Sequence, residues 1–175
     1  MRVLLSVLAA MSIASAALAQ QVTEEKVAGV NNFKRLETTI ACAGATTPQA
    51  VPEIKKMGYA SIVNLRVPTE EGADVDQEAA AAKSAGIKFY SIPFNGQKPD
   101  PLVADHFLDV ITDASNAPAF IHCHSGNRAA AMWMIKRLVV DHWDTDRASA
   151  EAAQLGLTSG ALKTFALEYA SSHKR

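Results

Sequence analysis

Between Thr47 and His122 the chain alternates between short runs rich in β-branched and aromatic residues and longer segments whose apolar positions recur every three or four residues. The first kind predicts strands and the second predicts amphipathic helices. In "TPQAVPEIKKMG", Thr47 as N-cap and Pro48 in the first turn predict a helix that stops at Gly58, with Pro52 leaving two possible starts. "ASIVNLR" then reads as a strand, "DVDQEAAAAKSAG" as a helix ending at a Gly, and "IKFYSIP" as the next strand. "DPLVADHFLDVITDA" sets Val103, Phe107, Val110, Ile111 and Ala114 at helical spacing, and "APAFIH" is strand-like again. Upstream, "FKRLETTIACAG" fits one or two short strands. Downstream, "RAAAMWMIKRLVV", "DTDRASAEAAQLG" and "SGALKTFALEYASSHKR" predict three helices. The first of these is apolar almost all round until Lys136 and Arg137, which makes Met132, Trp133 and Met134 core filling. Leu162, Phe165, Ala166 and Tyr169 form an apolar stripe on the last. The alternation predicts an α/β fold with a mostly parallel central sheet flanked by helices.

The ends and the composition narrow the setting. Met1 and Arg2 lead into an apolar run from Val3 to Ala17 and then the small-x-small stretch Ala17-Leu18-Ala19, which reads as a secretory signal peptide over residues 1–19. The run is too short and too rich in Ala and Ser for a good spanning helix. Residues 20–175, 156 in number, suit one domain with one core. The mature protein is therefore expected to be periplasmic or secreted, without a membrane span and as a monomer. A formal net charge of −1 gives no basic footprint for nucleic acid. Cys42 and Cys123 are the two cysteines, and in an oxidising compartment a disulfide between them is one reading.

The chemistry gathers in "HCHSGNR", where Cys123 falls at the carboxyl end of a predicted strand and Arg128 opens the helix that follows. In a parallel sheet ligands collect at such ends. The loop His124-Ser125-Gly126-Asn127 presents backbone N–H groups, and the helix dipole adds about half a positive charge at the same place. Gly126 permits a positive φ or a close approach to a ligand. Arg128 can hold a tetrahedral oxyanion with two parallel N–H bonds, a geometry Lys does not offer. Beside those donors Cys123 is expected as a thiolate, a nucleophile facing a bound anion. An inert buried thiol and a metal site built on His122, Cys123 and His124 are the plainer alternatives. Strand alternation would put the two histidines on one face and the cysteine on the other, and no second ligand pair at suitable spacing appears, so neither metal nor cofactor is expected.

On these residues the chain resembles the protein tyrosine and dual-specificity phosphatase superfamily, whose signature is His-Cys-x-x-Gly-x-x-Arg between a strand and a helix. The likeness extends through "FKRLETTIACAGATTPQAVPEIKKMGYASIVNLR" and "AGIKFYSIPF". It implies a phosphatase-like fold and a phosphorylated substrate, protein or small molecule. Cys123 would be the nucleophile and Arg128 the phosphate clamp, with His124, Ser125, Gly126 and Asn127 as the substrate-binding loop. His122 would be a hydrogen-bonding support. Two features depart from the pattern. Four residues separate Cys123 from Arg128 where the superfamily has five, and Ala129 stands where a hydroxyl is usual. The shorter loop is similar to a bacterial branch that includes the phosphatase-like domain of beta-lactamase hydrolase-like proteins. It also equals the loop length of rhodanese sulfurtransferases, so sulfur transfer through a persulfide on Cys123 stays open, as does a non-catalytic phosphate-binding module.

Phosphate ester hydrolysis benefits from a general acid that protonates the leaving oxygen. By the resemblance an Asp belongs on the loop "FNGQKPDPL", which makes Asp100 the expected acid, although Asp-Pro before an apolar periodic segment also reads as a helix cap. Glu70 and Glu71, after "SIVNLR", are the fallback. Arg66 in the same stretch either orients a neighbouring loop or pairs with a carboxylate. Cys42 could resolve an oxidised Cys123 as a reversible disulfide.

Overall fold

A computed structural model describes residues 21–173, and the expected signal peptide lies outside them. The chain forms strands β1 (Val22–Glu24), β2 (Lys34–Leu36) and β3 (Ile40–Ala43), helix α1 (Val51–Lys56), β4 (Ser61–Asn64), α2 (Val75–Ala85), β5 (Lys88–Ser91), α3 (Pro101–Thr112), β6 (Ala119–His122), α4 (Asn127–Val139), α5 (Thr145–Gln154) and α6 (Gly160–Ser172). The sheet order is β1-β2-β3-β6-β4-β5. β3, β6, β4 and β5 run parallel, and the β1 and β2 strands add antiparallel at one edge. The fold is the expected α/β arrangement with a mostly parallel sheet.

The local rules account for most boundaries. Asp100 caps α3 with a carboxylate that accepts from the Leu102 N–H at 3.0 Å, and Pro101 follows in the first turn, where its missing N–H costs nothing. Asp144 and Ser159 cap α5 and α6 in the same way. Gly86 closes α2 in the left-handed region at φ 64°. One expectation needs correction, and one strand escaped the sequence pattern. Thr47 makes no side-chain cap, because Pro48–Ala50 form only a 3-10 turn and the α-helix starts at Val51 with Pro52 in its first turn. The polar start hides β1, which pairs with β2 through backbone groups and needs no apolar signature.

Two apolar layers cover the sheet. On one face Ala41, Ala43, Ile62 and Phe120 pack against Val51 and Ile54 of α1 and Ala82 of α2. On the other, Cys42, Val63 and Ile121 pack against α4, which lies among α3, α5 and α6 and buries Met132, Trp133 and Met134 as expected of a central helix. α4 is also pinned by polar contacts. Glu151 of α5 accepts from Trp133 Nε1 and Arg137 Nε, each at 2.7 Å, and from Arg137 Nη2 at 3.0 Å. A helix fixed at its far end holds its first turn still, and that turn carries Arg128.

Phe120 marks the packing that sets β6. Its ring stacks on Phe33 at 6.1 Å between centroids and meets Tyr59 edge-on at 5.8 Å. Phe120→Ala is expected to lower unfolding stability by about 3–5 kcal/mol in urea titration, the range for removing a buried aromatic.

Candidate active site

The carboxyl ends of β3, β6 and β4 converge on one edge of the sheet, and the chain leaving β6 turns there into α4. Cys123 is the first residue of that turn and is completely buried. Its sulfur lies under the loop and accepts from the Gly126 N–H at 3.1 Å. Gly126 has φ 97°, which a side-chain-bearing residue adopts only under strain, and it serves as the N-cap of α4. The loop is braced from outside. Ala45 N–H donates to the His124 carbonyl at 2.8 Å, and Asn32 Nδ2 donates to the Ser125 carbonyl at 3.2 Å. Gly44 is required behind it, since a Cβ there would lie 3.0 Å from the His124 carbonyl oxygen.

Arg128 closes the turn. Three acceptors share its Nη1: the Leu65 carbonyl at 3.1 Å, the Phe94 carbonyl at 2.8 Å and Glu70 Oε1 at 2.6 Å. Its Nη2 donates to Glu70 Oε2 at 2.8 Å, so carboxylate and guanidinium meet fork to fork. Burial alone would lower the Arg128 pKa, but the bonds to Glu70 and the adjacent Cys123 sulfur raise it instead. Glu70 is itself moored. Val67 N–H donates to Oε1 at 2.9 Å and Arg66 Nε to Oε2 at 3.4 Å, while the Arg66 guanidinium holds the Glu71 and Gly72 carbonyls. Partial burial would raise the Glu70 carboxyl, yet the Arg128 bonds, the Val67 N–H and Arg66 bring it down to about 2.

The loop residues divide their work in ways the sequence did not show. His124, Ser125, Asn127 and Arg128 line a cleft of about 580 Å³ together with Glu70, Asn95, Gly96, Gln97 and Ser159. Asn127, expected to touch substrate, spends its carboxamide oxygen on the Thr158 and Ser159 N–H groups at 2.7 and 2.8 Å and so ties the loop to the turn before α6. His122 and His124 do not share a face, because the chain leaves the sheet after His122. His124 is exposed at the cleft, whereas His122 is buried on the α2 side, its Nε2 2.9 Å from Glu78 Oε1. That contact is a close approach without hydrogen-bond alignment. Glu78 Oε2 accepts from Asn64 Nδ2 at 2.7 Å, and Asn64 Oδ1 accepts from the Arg66 N–H at 2.7 Å.

Asp100, the expected acid, is exposed, caps α3 and is not among the cleft-lining residues. Of the fallback pair Glu70 reaches the cleft, ionised and bound to Arg128, while Glu71 is exposed and gives its carbonyl to Arg66. Cys42 and Cys123 are both free thiols. Burial, then the neighbouring Cys123 and Glu151, pushes the Cys42 thiol well above its ordinary value. Among the described residues no group of three or more His, Cys, Asp or Glu side chains is placed to hold a metal ion, and no helix is long and apolar enough to cross a membrane.

A family model described as "Beta-lactamase hydrolase-like protein, phosphatase-like domain" matches residues 32–139, from the segment before β2 to the end of α4. The chain belongs to this family. Beta-lactamase hydrolase-like proteins of Agrobacterium fabrum and Xylella fastidiosa (strain Temecula1) are 28% identical over 103 residues and 25% identical over 130 residues. These matches take in 58% and 72% of this chain but 24% and 30% of the relatives, so the chain spans less than a third of their length. Among solved structures, the core catalytic domain of a PP-IP phosphatase of S. cerevisiae superposes with a TM-score of 0.67 at 19% identity, over 82% of this chain and 88% of that one. TpbA of P. aeruginosa, in a cysteine-to-serine form in complex with pTyr, gives 0.60 at 18% identity over 91% and 90%. A DUF442 protein of Shewanella putrefaciens CN-32 gives 0.71 at 16% over 84% and 96%. These likenesses establish a phosphatase-like fold. The family match ends at α4, so Ser159 and Leu162, which line the cleft, and Thr158, which with Ser159 holds Asn127, come from outside it.

The lowered Glu70 pKa sets a pH dependence. A carboxyl held at about 2 in the fold against 4.5 ordinarily stabilises the protein fully above pH 4.5 and loses that contribution as pH falls through 2. The contribution is on the order of 2 kcal/mol after allowance for partial exposure. Glu70→Gln is expected to lose this part of the acid dependence, read as the change in urea midpoint between pH 5.5 and pH 2.5; equal dependence in both proteins would place the acid sensitivity elsewhere.

Proposed function

We propose that this domain is a cysteine-dependent phosphatase of the tyrosine/dual-specificity kind, hydrolysing a phosphomonoester through a phosphocysteine on Cys123. The observation that carries the reading is the division of Arg128. Glu70 and two carbonyls take Nη1 and one Nη2 hydrogen, which leaves the Nε–H and the second Nη2–H side by side on the remaining edge of a guanidinium that neighbours the Cys123 sulfur. A phosphoryl group seated there has its oxygens between that edge and the N–H groups at the start of α4, with its phosphorus in front of the sulfur.

In the first step the thiolate attacks phosphorus in line, the S–P bond forms and the P–O bond to the leaving group breaks. Arg128 and the loop amides stabilise the charge on the equatorial oxygens. In the second step water attacks the phosphocysteine, the P–S bond breaks and phosphate departs. The family's description as phosphatase-like and the fold shared with phosphatases support this reading. The leader-like sequence at residues 1–19 supports an exported enzyme that meets its phosphorylated substrate outside the cytoplasm.

Cys123→Ser is expected to abolish hydrolysis of p-nitrophenyl phosphate under reducing conditions while retaining affinity for inorganic phosphate. Arg128→Lys, which keeps the charge and loses the fork, is expected to lower kcat/KM by about 10²–10³-fold. A wild-type protein that is inactive on the ester but moves sulfur from thiosulfate to cyanide would replace this reading with sulfur transfer. One that binds phosphate and turns over neither substrate would make it a binding module.

A further inference from the structure

Phosphoryl transfer from any but the most acidic alcohol requires a proton on the departing oxygen, and the group supplying it must border the cleft on the side away from the attacking sulfur. Among the described residues that line the cleft, the titratable side chains are Glu70, His124 and Arg128. Glu70 has both oxygens on Arg128 and is ionised far below neutral pH, and the Arg128 guanidinium does not release a proton. Asp100 has its carboxylate turned to the Leu102 N–H at the start of α3. His124 is left. Its ring is exposed at the cleft, one residue from the nucleophile, and imidazole is the side chain that gives and takes protons near neutrality.

The root of that ring is fixed. Its carbonyl accepts from the Ala45 N–H at 2.8 Å, Gly44 packs against the same oxygen, and the next carbonyl, that of Ser125, is held by Asn32. The charged groups sharing the cleft with it are Glu70, from the loop after β4, and Arg128, from α4. The loop before α3 and the start of α6 contribute the uncharged Asn95, Gln97 and Ser159.

We propose, resting on the phosphatase reading above, that His124 is the general acid and then the general base of this site. As the S–P bond forms and the P–O bond breaks, the imidazolium passes its proton to the leaving oxygen, and the alcohol departs neutral. The imidazole then takes a proton from the attacking water as the new P–O bond forms and the P–S bond breaks. This restores imidazolium and thiolate and releases phosphate. The proton source sits inside the signature loop instead of on the loop before α3.

The test is a leaving-group series of substituted aryl phosphates, read as kcat/KM against leaving-group pKa, with a pH profile for each protein. His124→Gln is expected to lose several-fold on p-nitrophenyl phosphate, whose phenol needs little help, and about 100-fold or more on unsubstituted phenyl phosphate. The slope therefore steepens, and the basic limb of the phenyl phosphate profile disappears. Asp100→Asn is expected to keep the wild-type slope. An equal loss on every ester in His124→Gln, or a slope that steepens in Asp100→Asn instead, overturns the assignment of His124 and leaves the phosphatase reading in place. A wild-type protein inactive on every aryl phosphate removes that reading and the proposal with it.

Discussion

Arg128 must be buried to lie beside Cys123, and a buried guanidinium has to be paired. Leaving such a charge without a partner costs several kcal/mol, while saturating all five N–H donors would leave none for a ligand. The fold resolves the conflict by geometry. Glu70 and the Leu65 and Phe94 carbonyls take one end of the planar fork, and the Nε edge stays available. A flexible ammonium could not be divided in this way. Each of the other site features acts to hold one side of that arrangement.

The supports form a series of polar contacts that links the two ends of the signature loop by an outside route. It runs from His122 to Glu78 on α2, through Asn64 to the Arg66 backbone, from the Arg66 side chain to Glu70, and from Glu70 to Arg128. The loop is held on its other side by Ala45 and Asn32 at the backbone and by Asn127 against the turn before α6. The amides and the guanidinium are therefore fixed before any anion arrives, so little reorganisation is spent on binding one.

The fold and the turn from β6 through Cys123 into α4 were legible because local rules carry them. The switch between two periodicities marked β4, α2, β5, α3 and β6, and Gly126 followed by Arg128 after a buried strand pointed to the anion cup. Where tertiary context decided, the sequence was silent. β1 is held by backbone pairing at a sheet edge and shows no apolar pattern. Glu70 stood out as one of two glutamates in a polar loop, but which cation it meets depends on a contact across 58 residues. Asn127 lines the cleft as expected of a loop residue, but nothing in the sequence signalled that the turn at Thr158 and Ser159 supplies three donors to its oxygen. Asp100 shows a competition between two meanings of one residue type: the Asp-Pro pair that suited an acid loop is satisfied as a helix cap.

A crystal structure of the complex with orthovanadate, a trigonal-bipyramidal mimic of phosphoryl transfer, tests the divided guanidinium most directly. The account predicts vanadium bonded to Cys123 Sγ, its equatorial oxygens on Arg128 Nε and Nη2 and on the loop amides, and Glu70 still on the other end of the fork. Vanadate bound away from the sulfur, or Glu70 displaced from Arg128 when the anion is seated, would contradict it.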